Sequence, residues 1–290
     1  VYPGVPFSEY LAWDAVSASF LKDMEHTPRY AMTKKQDPRE EKDCYSKGRL
    51  FHALCFEPQT VESAFAIEPT TYQSDKGEVK PWHNGANVCK AWRASNADKT
   101  CIDQETFDES AAMAARVRAM PQLAPFLSDA QVELSAVYID SQTGLLCKMR
   151  MDAFKNGIIL DAKSTSSTAS RDGFNRECQQ HRYYLQAAHY IEGAKALRIA
   201  AEVPWFAFVA VEGYKPYDLA VFDVQDDTDA LSFDFLHYGR LKRRILLNDV
   251  RNCKDKGEWP GYVPDSFDCE LTFQARKELE EMTQISGAMR

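Results

Sequence analysis

A chain of 290 residues, 44% hydrophobic and 27% charged, is long enough for one large core or two modest ones, and this composition excludes a disordered or fibrous protein. With 35 Lys plus Arg against 43 Asp plus Glu the net charge is −8, so the molecule as a whole is not a basic glove for a polyanion. Any nucleic-acid surface must be local, and the window from Cys147 to Ala200 stands out with nine cations against five anions. The longest apolar stretch, Val203 to Val211, is interrupted by Pro204 and falls far short of the roughly 20 residues that span a bilayer, so no membrane segment is expected. Val1-Tyr2-Pro3-Gly4 has neither a basic n-region nor an apolar h-region, so export is not expected, and the absent initiator Met reads as a trimmed or excised piece. The eight cysteines (Cys44, Cys55, Cys89, Cys101, Cys147, Cys178, Cys253 and Cys269) form no Cys-x-x-Cys pair and read as reduced, mostly buried cytosolic thiols.

From Ser8 to about Thr70 the pattern is helical. Asp14 to Ser19 offers caps before Phe20-Leu21-x-x-Met24, Pro28 marks a stop, and a second helix runs from about Lys42 to Phe56 before Pro58. Residues 70–99 show no period and are expected to form a long connection. A helix from Gln104 to Met120 follows, with Phe107, Ala111, Ala114 and Ala115 at helical spacing. At Gln131 the period changes to that of a strand. Val132, Leu134, Ala136 and Tyr138 alternate with their neighbours, a turn follows at Asp140 to Gly144, and strands Leu145 to Lys155 and Ile158 to Ser164 flank an Asn156-Gly157 hairpin tip. A long helix is expected from Arg171 to Leu197, then strands Trp205 to Glu212 and Asp218 to Val224, and a last helix from about Asp227 to Asn248. Meander, helix, strands and helix make a mixed α/β plan rather than repeated βαβ units.

In a two-residue hairpin Lys155 faces Ile158, Phe154 faces Ile159, and Asp152 faces Asp161. Directly opposed side chains have Cβ atoms roughly 4.5–5.5 Å apart, where two carboxylates destabilise a sheet. A divalent cation explains the choice, because hard cations take several oxygen ligands. Period two puts Lys163 beside Asp161, and Arg150 beside Asp152, on the same face, with Met149, Met151, Leu160 and Ala162 on the other as core. The bland alternative is a solvated ladder of ion pairs. Farther on, Gln186 and Tyr190 are helix neighbours with Arg182 a turn before, which suits either DNA contacts or an ordinary polar stripe. His52 is embedded in apolar residues, as a buried core histidine or as a neutral-imidazole metal ligand.

These segments together resemble the RecE-type exonucleases (the exonuclease VIII nuclease domain) of phages and prophages, in the RecB-like branch of the PD-(D/E)xK superfamily. The resemblance is carried by Gly48-x-x-x-His52 leading to Glu57-Pro58, by Thr143-Gly144-Leu145 through Arg150-x-Asp152, by Asp161-Ala162-Lys163, and by Gln186-x-x-x-Tyr190. Ser17-x-Ser19-x-Leu21-Lys22 followed by Thr27-Pro28 looks like the family's opening helix. Met151 stands where the motif's name has Pro, and Asp161 is the shorter acid. No four-Cys cluster site is present.

The resemblance implies a single nuclease domain over 1–290, with a mainly helical portion 1–130 carrying His52 and a catalytic core 131–290 built on a central mixed sheet flanked by helices. It implies that Asp152, Asp161 and Lys163 are catalytic, and that His52, Asp152, Asp161 and the Ala162 carbonyl hold Mg²⁺, with two ions expected and Mn²⁺ as a substitute. Gln186, Tyr190 and Arg182 would meet DNA, while Glu133 and Arg150 are further candidates. It implies hydrolysis of double-stranded DNA from 5′ ends to leave 3′ overhangs for recombination, a homo-oligomeric ring, a single-strand annealing partner, and a place in the bacterial cytoplasm with no membrane role. The competing readings are another RecB-like nuclease (endonuclease or single-strand exonuclease), a non-catalytic DNA-end-binding scaffold, and an acidic interaction domain that leaves the opposed carboxylates without an account.

Overall fold

The computed structural model describes residues 1–36, 43–74, 76–200, 204–225, 233–262, 270, 274–278 and 282. Helices α1 (Phe7–Ala12), α2 (Ala18–Met24), α3 (Pro28–Gln36), α4 (Asp43–Phe56) and α5 (Val61–Ala64) open the chain. Short strands β1 (Phe65–Ile67), β2 (Thr71–Gln73) and β3 (Val79–Pro81), helix α6 (Asn87–Ser95), strand β4 (Thr100–Ile102) and helices α7 (Gln104–Ala119) and α8 (Ala124–Leu127) follow. The second half holds β5 (Gln131–Ile139), β6 (Leu146–Lys155), β7 (Ile158–Thr165), α9 (Arg171–Gln180), α10 (Tyr183–Leu197), β8 (Trp205–Glu212), β9 (Leu219–Val224) and α11 (Phe233–Lys256).

Local chemistry sets many of these boundaries. Ser17 accepts a hydrogen bond from the Phe20 N–H at 3.1 Å, and Asp103 accepts one from Thr106 at 2.6 Å, satisfying orphan donors at the starts of α2 and α7. Pro28, expected to stop a helix, instead begins α3, where Thr27 caps the Tyr30 N–H at 3.1 Å and proline's missing donor costs nothing. Residues 70–99 are not a bare connection. Their elements, an antiparallel β2–β3 pair and α6, are three to nine residues long, too short for a period to emerge, and the segment is bracketed by the parallel pair β1–β4. The expected helix Arg171 to Leu197 is two helices, parted at Arg182, whose φ of +54° is left-handed. The expected start of the last helix at Asp227 lies outside the described residues, and α11 runs on to Lys256, with Gly257 at φ +69° just beyond its end.

The central sheet has the order β5-β6-β7-β8-β9, with β7 and β8 parallel and the other pairs antiparallel. It is the mixed sheet flanked by helices that the sequence implied. One face buries Leu134, Met149, Met151, Ile159, Phe206 and Phe208 against α2, α10 and α11. The other buries Ala153, Leu160, Ala162, Val209 and Val211 against Phe51 and Cys55 of α4 and Met113 and Val117 of α7. Met149 and Met151 therefore do not share a face with Leu160 and Ala162, as strict alternation predicted. The alternation slips once in β6, between Met151 and Ala153, and once in β5, between Leu134 and Val132. Val132↔Ala153 and Leu134↔Met151 are paired, while Glu133 and Asp152 between them are not, and Glu133 takes a φ of +48°.

Val1–Trp259 forms one compact unit and Pro260–Arg290 another, and Gly257, Pro260 and Gly261 punctuate the chain between them. Cys55, Cys89, Cys101, Cys147, Cys178 and Cys253 are free thiols, and all but Cys101 are buried. Among the described residues no helix is long and apolar enough to cross a membrane.

Helices α10 and α11 cross closely at Gly239, where an added Cβ would collide with the Tyr184 carbonyl. Helix propensity alone favours Ala over Gly by about 1 kcal/mol, but overpacking a tight contact costs about 1–3 kcal/mol. Gly239→Ala is expected to lower the melting temperature; a melt at or above that of the parent would show that the helices do not approach so closely.

Candidate active site

Asn156 and Gly157, both at positive φ, form the tip of the β6–β7 hairpin. Pairing runs through Lys155↔Ile158, Phe154↔Ile159 and Ala153↔Leu160, and stops there. Beyond that point β7 stays with β8, through Asp161↔Phe208 and Lys163↔Ala210, while β6 stays with β5. Asp152 and Asp161 thus sit where the strands part rather than as a ladder pair. The reason is electrostatic as well as topological: two carboxylates in register would repel, and the opening lets one of them fold into the gap. There Asp152 Oδ2 accepts a hydrogen bond from the Ala162 N–H at 2.9 Å.

Three other elements converge on this opening. His52, on α4, brings Nδ1 to 3.3 Å from Asp152 Oδ2. Glu133 arrives from the slipped position of β5. One ligand atom from each of His52, Glu133 and Asp152 lies within 4.8 Å of the other two. Asp161 adjoins this trio but is engaged elsewhere: its Oδ1 is ion-paired with Lys163, and its Oδ2 accepts from Gln186 Nε2 of α10 at 2.5 Å.

The remaining candidates hold the scaffold. Arg150 does not stand opposite Lys163, because the slip in β6 turns it toward β5. Its Nε pairs with Glu133 at 2.5 Å, and its Nη1 donates to the Val5 carbonyl at 2.7 Å and to Ser135 Oγ at 3.0 Å. Tyr190, expected to line a DNA channel, is buried and donates its hydroxyl to the Arg150 carbonyl at 2.8 Å, pinning β6 two residues before Asp152. Arg182 is ion-paired with Glu25.

Burial first, and then the neighbouring Asp161 carboxylate, push the Asp152 carboxyl well above its ordinary range. Burial and then Asp152 raise Glu133, although Arg150 pulls the other way. His52 is held below its usual value by burial and by the Lys163 ammonium, so its imidazole is neutral at physiological pH. For Lys163 burial works against the charge, but Asp161 and Asp152 outweigh it and the ammonium is held more firmly than usual.

The sequence matches the PDDEXK-like domain of unknown function (DUF3799) over residues 17–273. The chain belongs to that PDDEXK-like family. No curated protein sequence matches it. Among solved structures, a "putative exonuclease" from Eubacterium rectale superposes with a TM-score of 0.55 at 16% identity, covering 94% of this chain and 97% of that one, a likeness of fold. A second, SSO0001, covers 54% of this chain and 69% of its own at 12% identity with a TM-score of 0.27, which carries no argument.

Within this PDDEXK-like frame the donor set fits a divalent cation. A neutral imidazole and two carboxylates, crowded until both acids resist ionisation, are relieved by a hard cation rather than by more protein charge. His52, Glu133 and Asp152 would hold it, with Asp161 and the Ala162 backbone adjoining. Glu133 was a further candidate through the resemblance, beside its reading as an exposed acid near the start of a strand; what brings it to the trio is the backbone slip, which no residue pattern announces. Tyr183, whose ring lies beside Lys163, was not singled out, and Lys22, which lies against the same ring, was quoted only within the opening-helix pattern and given no role.

Because folding raises the Asp152 and Glu133 carboxyls, their contribution to stability is present below the ordinary carboxylate range and is lost as pH rises through the raised values. A cation must displace those protons. Adding Mn²⁺ is therefore expected to raise the melting temperature more at pH 8 than at pH 5, and an equal shift at both would contradict the site. Arg150→Leu, which removes the ion-pair partner of Glu133, should weaken Mn²⁺ affinity by roughly 10-fold or more, since outer partners of metal ligands carry effects of that size.

Proposed function

We propose that the chain is a Mg²⁺-dependent exodeoxyribonuclease of the RecE type, accepting Mn²⁺ as a substitute. It would degrade one strand of duplex DNA from its 5′ end and leave 3′ overhangs for recombination. The observation that carries this reading is the Lys163–Asp161 ion pair set directly beside the trio of His52, Glu133 and Asp152. Acids alone suit a structural cation; acids next to a firmly protonated, half-buried lysine suit a reaction that develops negative charge. The exonuclease name of the Eubacterium rectale protein, whose fold is alike over nearly the whole chain, favours action at DNA ends.

Each residue then has a task. Lys163 brings its ammonium to the scissile phosphate and to the water that attacks it. Gln186 fixes the Asp161 carboxylate, and Tyr190 and Arg150 hold β6 and Glu133 so that the acids keep their spacing. His52 stays neutral and available as a nitrogen ligand. A divalent cation bound here supplies Lewis-acid stabilisation of the phosphoryl group and a more acidic water, with a second ion part of the same reading. Arg182, partly exposed at the break between α9 and α10, is a candidate phosphate contact. Assembly as a ring around duplex DNA, with a single-strand annealing protein receiving the overhang, belongs to this proposal.

The test is Mg²⁺-dependent digestion of linear duplex labelled separately at its 5′ and 3′ ends, with closed circular duplex alongside. Progressive loss from 5′ ends with circles intact is expected, and Asp161→Ala and Lys163→Ala should each lower kcat by at least roughly 100-fold while the protein still melts cooperatively. Cleavage of circles would point to an endonuclease, and DNA binding without cleavage in any metal would point to a scaffold.

A further inference from the structure

Lys22 reaches the site from the far end of the chain. It lies in the last turn of α2, a helix anchored by Leu21 and Met24, both buried in the core beside α10. Its Nζ is 5.2 Å from the centroid of the Tyr183 ring, and Lys163 Nζ is 5.0 Å from the same ring. Tyr183 cannot easily move aside, because it stacks on Phe208 and leans on Phe174. Two ammonium groups are therefore held around one aromatic ring at the first residue of α10.

The charges of this cluster are unevenly matched. Lys163 has Asp161, and Arg182 has Glu25. Lys22 feels Lys163 and Arg182 as like charges and Asp161 and Asp23 as opposite ones, but among the described residues it makes no ion pair or hydrogen bond of its own. Burial is the largest influence on it and, with Lys163, holds its ammonium down to about 7. A half-buried cation with no direct ion-pair partner is unfavourable, and a Met or Leu at this helix position would cover Tyr183 without that penalty. An anion seated between Lys22 and Lys163 would offset that cost.

We infer that Lys22, Tyr183 and Lys163 form a phosphate subsite that grips a phosphate of the bound strand next to the one being cleaved. This rests on the nuclease reading above. A strand that places its scissile phosphate against Lys163 carries its neighbouring phosphate past the same ring, where the Lys22 ammonium is already fixed. In this role Lys22 positions the strand and leaves the chemistry to the acids and Lys163.

The experiment measures the dissociation constant of a fluorescent duplex over a series of KCl concentrations, with Ca²⁺ in place of Mg²⁺, for the full chain and for Lys22→Met, Lys22→Gln and Lys22→Arg. Substrates carry either a 5′-phosphate or a 5′-hydroxyl. Loss of one phosphate contact should weaken binding for all sequences and reduce the slope of log K against log salt by about 1. Lys22→Met and Lys22→Gln should do both and raise KM more than they lower kcat, while Lys22→Arg restores binding and slope and the Mn²⁺ melting shift stays as in the parent. An effect on both substrates identifies an internal phosphodiester, and an effect only with the 5′-phosphate identifies the strand end. A folded Lys22→Met or Lys22→Gln protein with the parent's affinity and slope overturns the inference while leaving the nuclease reading intact. If the parent neither binds nor cuts DNA, the nuclease reading fails and this inference with it.

Discussion

Repulsion between carboxylates at the point where β6 and β7 part is the constraint around which the rest is arranged. A continuous hairpin would set Asp152 against Asp161 in register, in a sheet covered on both faces, with no water to screen them. The sheet instead gives up its pairing beyond Ala153↔Leu160, and each acid finds separate partners: the Ala162 N–H and His52 for Asp152, Gln186 and Lys163 for Asp161. Glu133 meets the same opening because β5 slips at the position opposite Asp152. A left-handed glutamate within a strand is a strained arrangement that folding alone would not favour, and such strain is tolerated where neighbouring contacts over-determine it.

The surrounding elements supply that over-determination. Helix α10 lies under the sheet with Gln186 on one acid and Tyr190 on the backbone leading to the other, so a single rigid element sets the spacing of both. Helix α4 covers the opposite face, its Phe51 and Cys55 buried beside Ala162 while the neighbouring His52 turns toward the opening. The N-terminal segment closes the β5–β6 side. Lys148 Nζ donates to the carbonyls of Tyr10, Leu11 and Trp13 at 2.8, 3.0 and 2.9 Å, and Arg150 ties Val5 to Glu133. Polar groups buried in this way stabilise little on their own account but fix one geometry, as a metal site requires.

The hairpin, its tip and the succession of strands along the chain through β9 were legible in the sequence because period-two alternation and Asn-Gly are strong local signals, whereas the parallel pairing of β8 with β7 was not. So were the pairing of Phe154 with Ile159 and, from hairpin register, the nearness of Asp152, Asp161 and Lys163, while His52 was joined to them through resemblance to RecE-type proteins rather than through local pattern. What was not legible followed from tertiary contacts. Strict alternation placed Met149 with Leu160 on one face, and the slip at Asp152 separates them. Tyr190 read as a DNA contact because helix spacing gives a face but not the neighbour that face meets. Pro28 read as a stop because a proline can equally begin a helix, and only the Thr27 cap decides between the two. Lys22 lies in a different part of the chain from Lys163, and no spacing rule links them.

The central claim is that this opening is built to hold a divalent cation. Its most direct measurement is anomalous diffraction from crystals grown with Mn²⁺. The account predicts a peak bounded by His52, Glu133 and Asp152, with Asp161 adjoining. Density free of any ion there, or a Mn²⁺ bound only elsewhere on the chain, would contradict it.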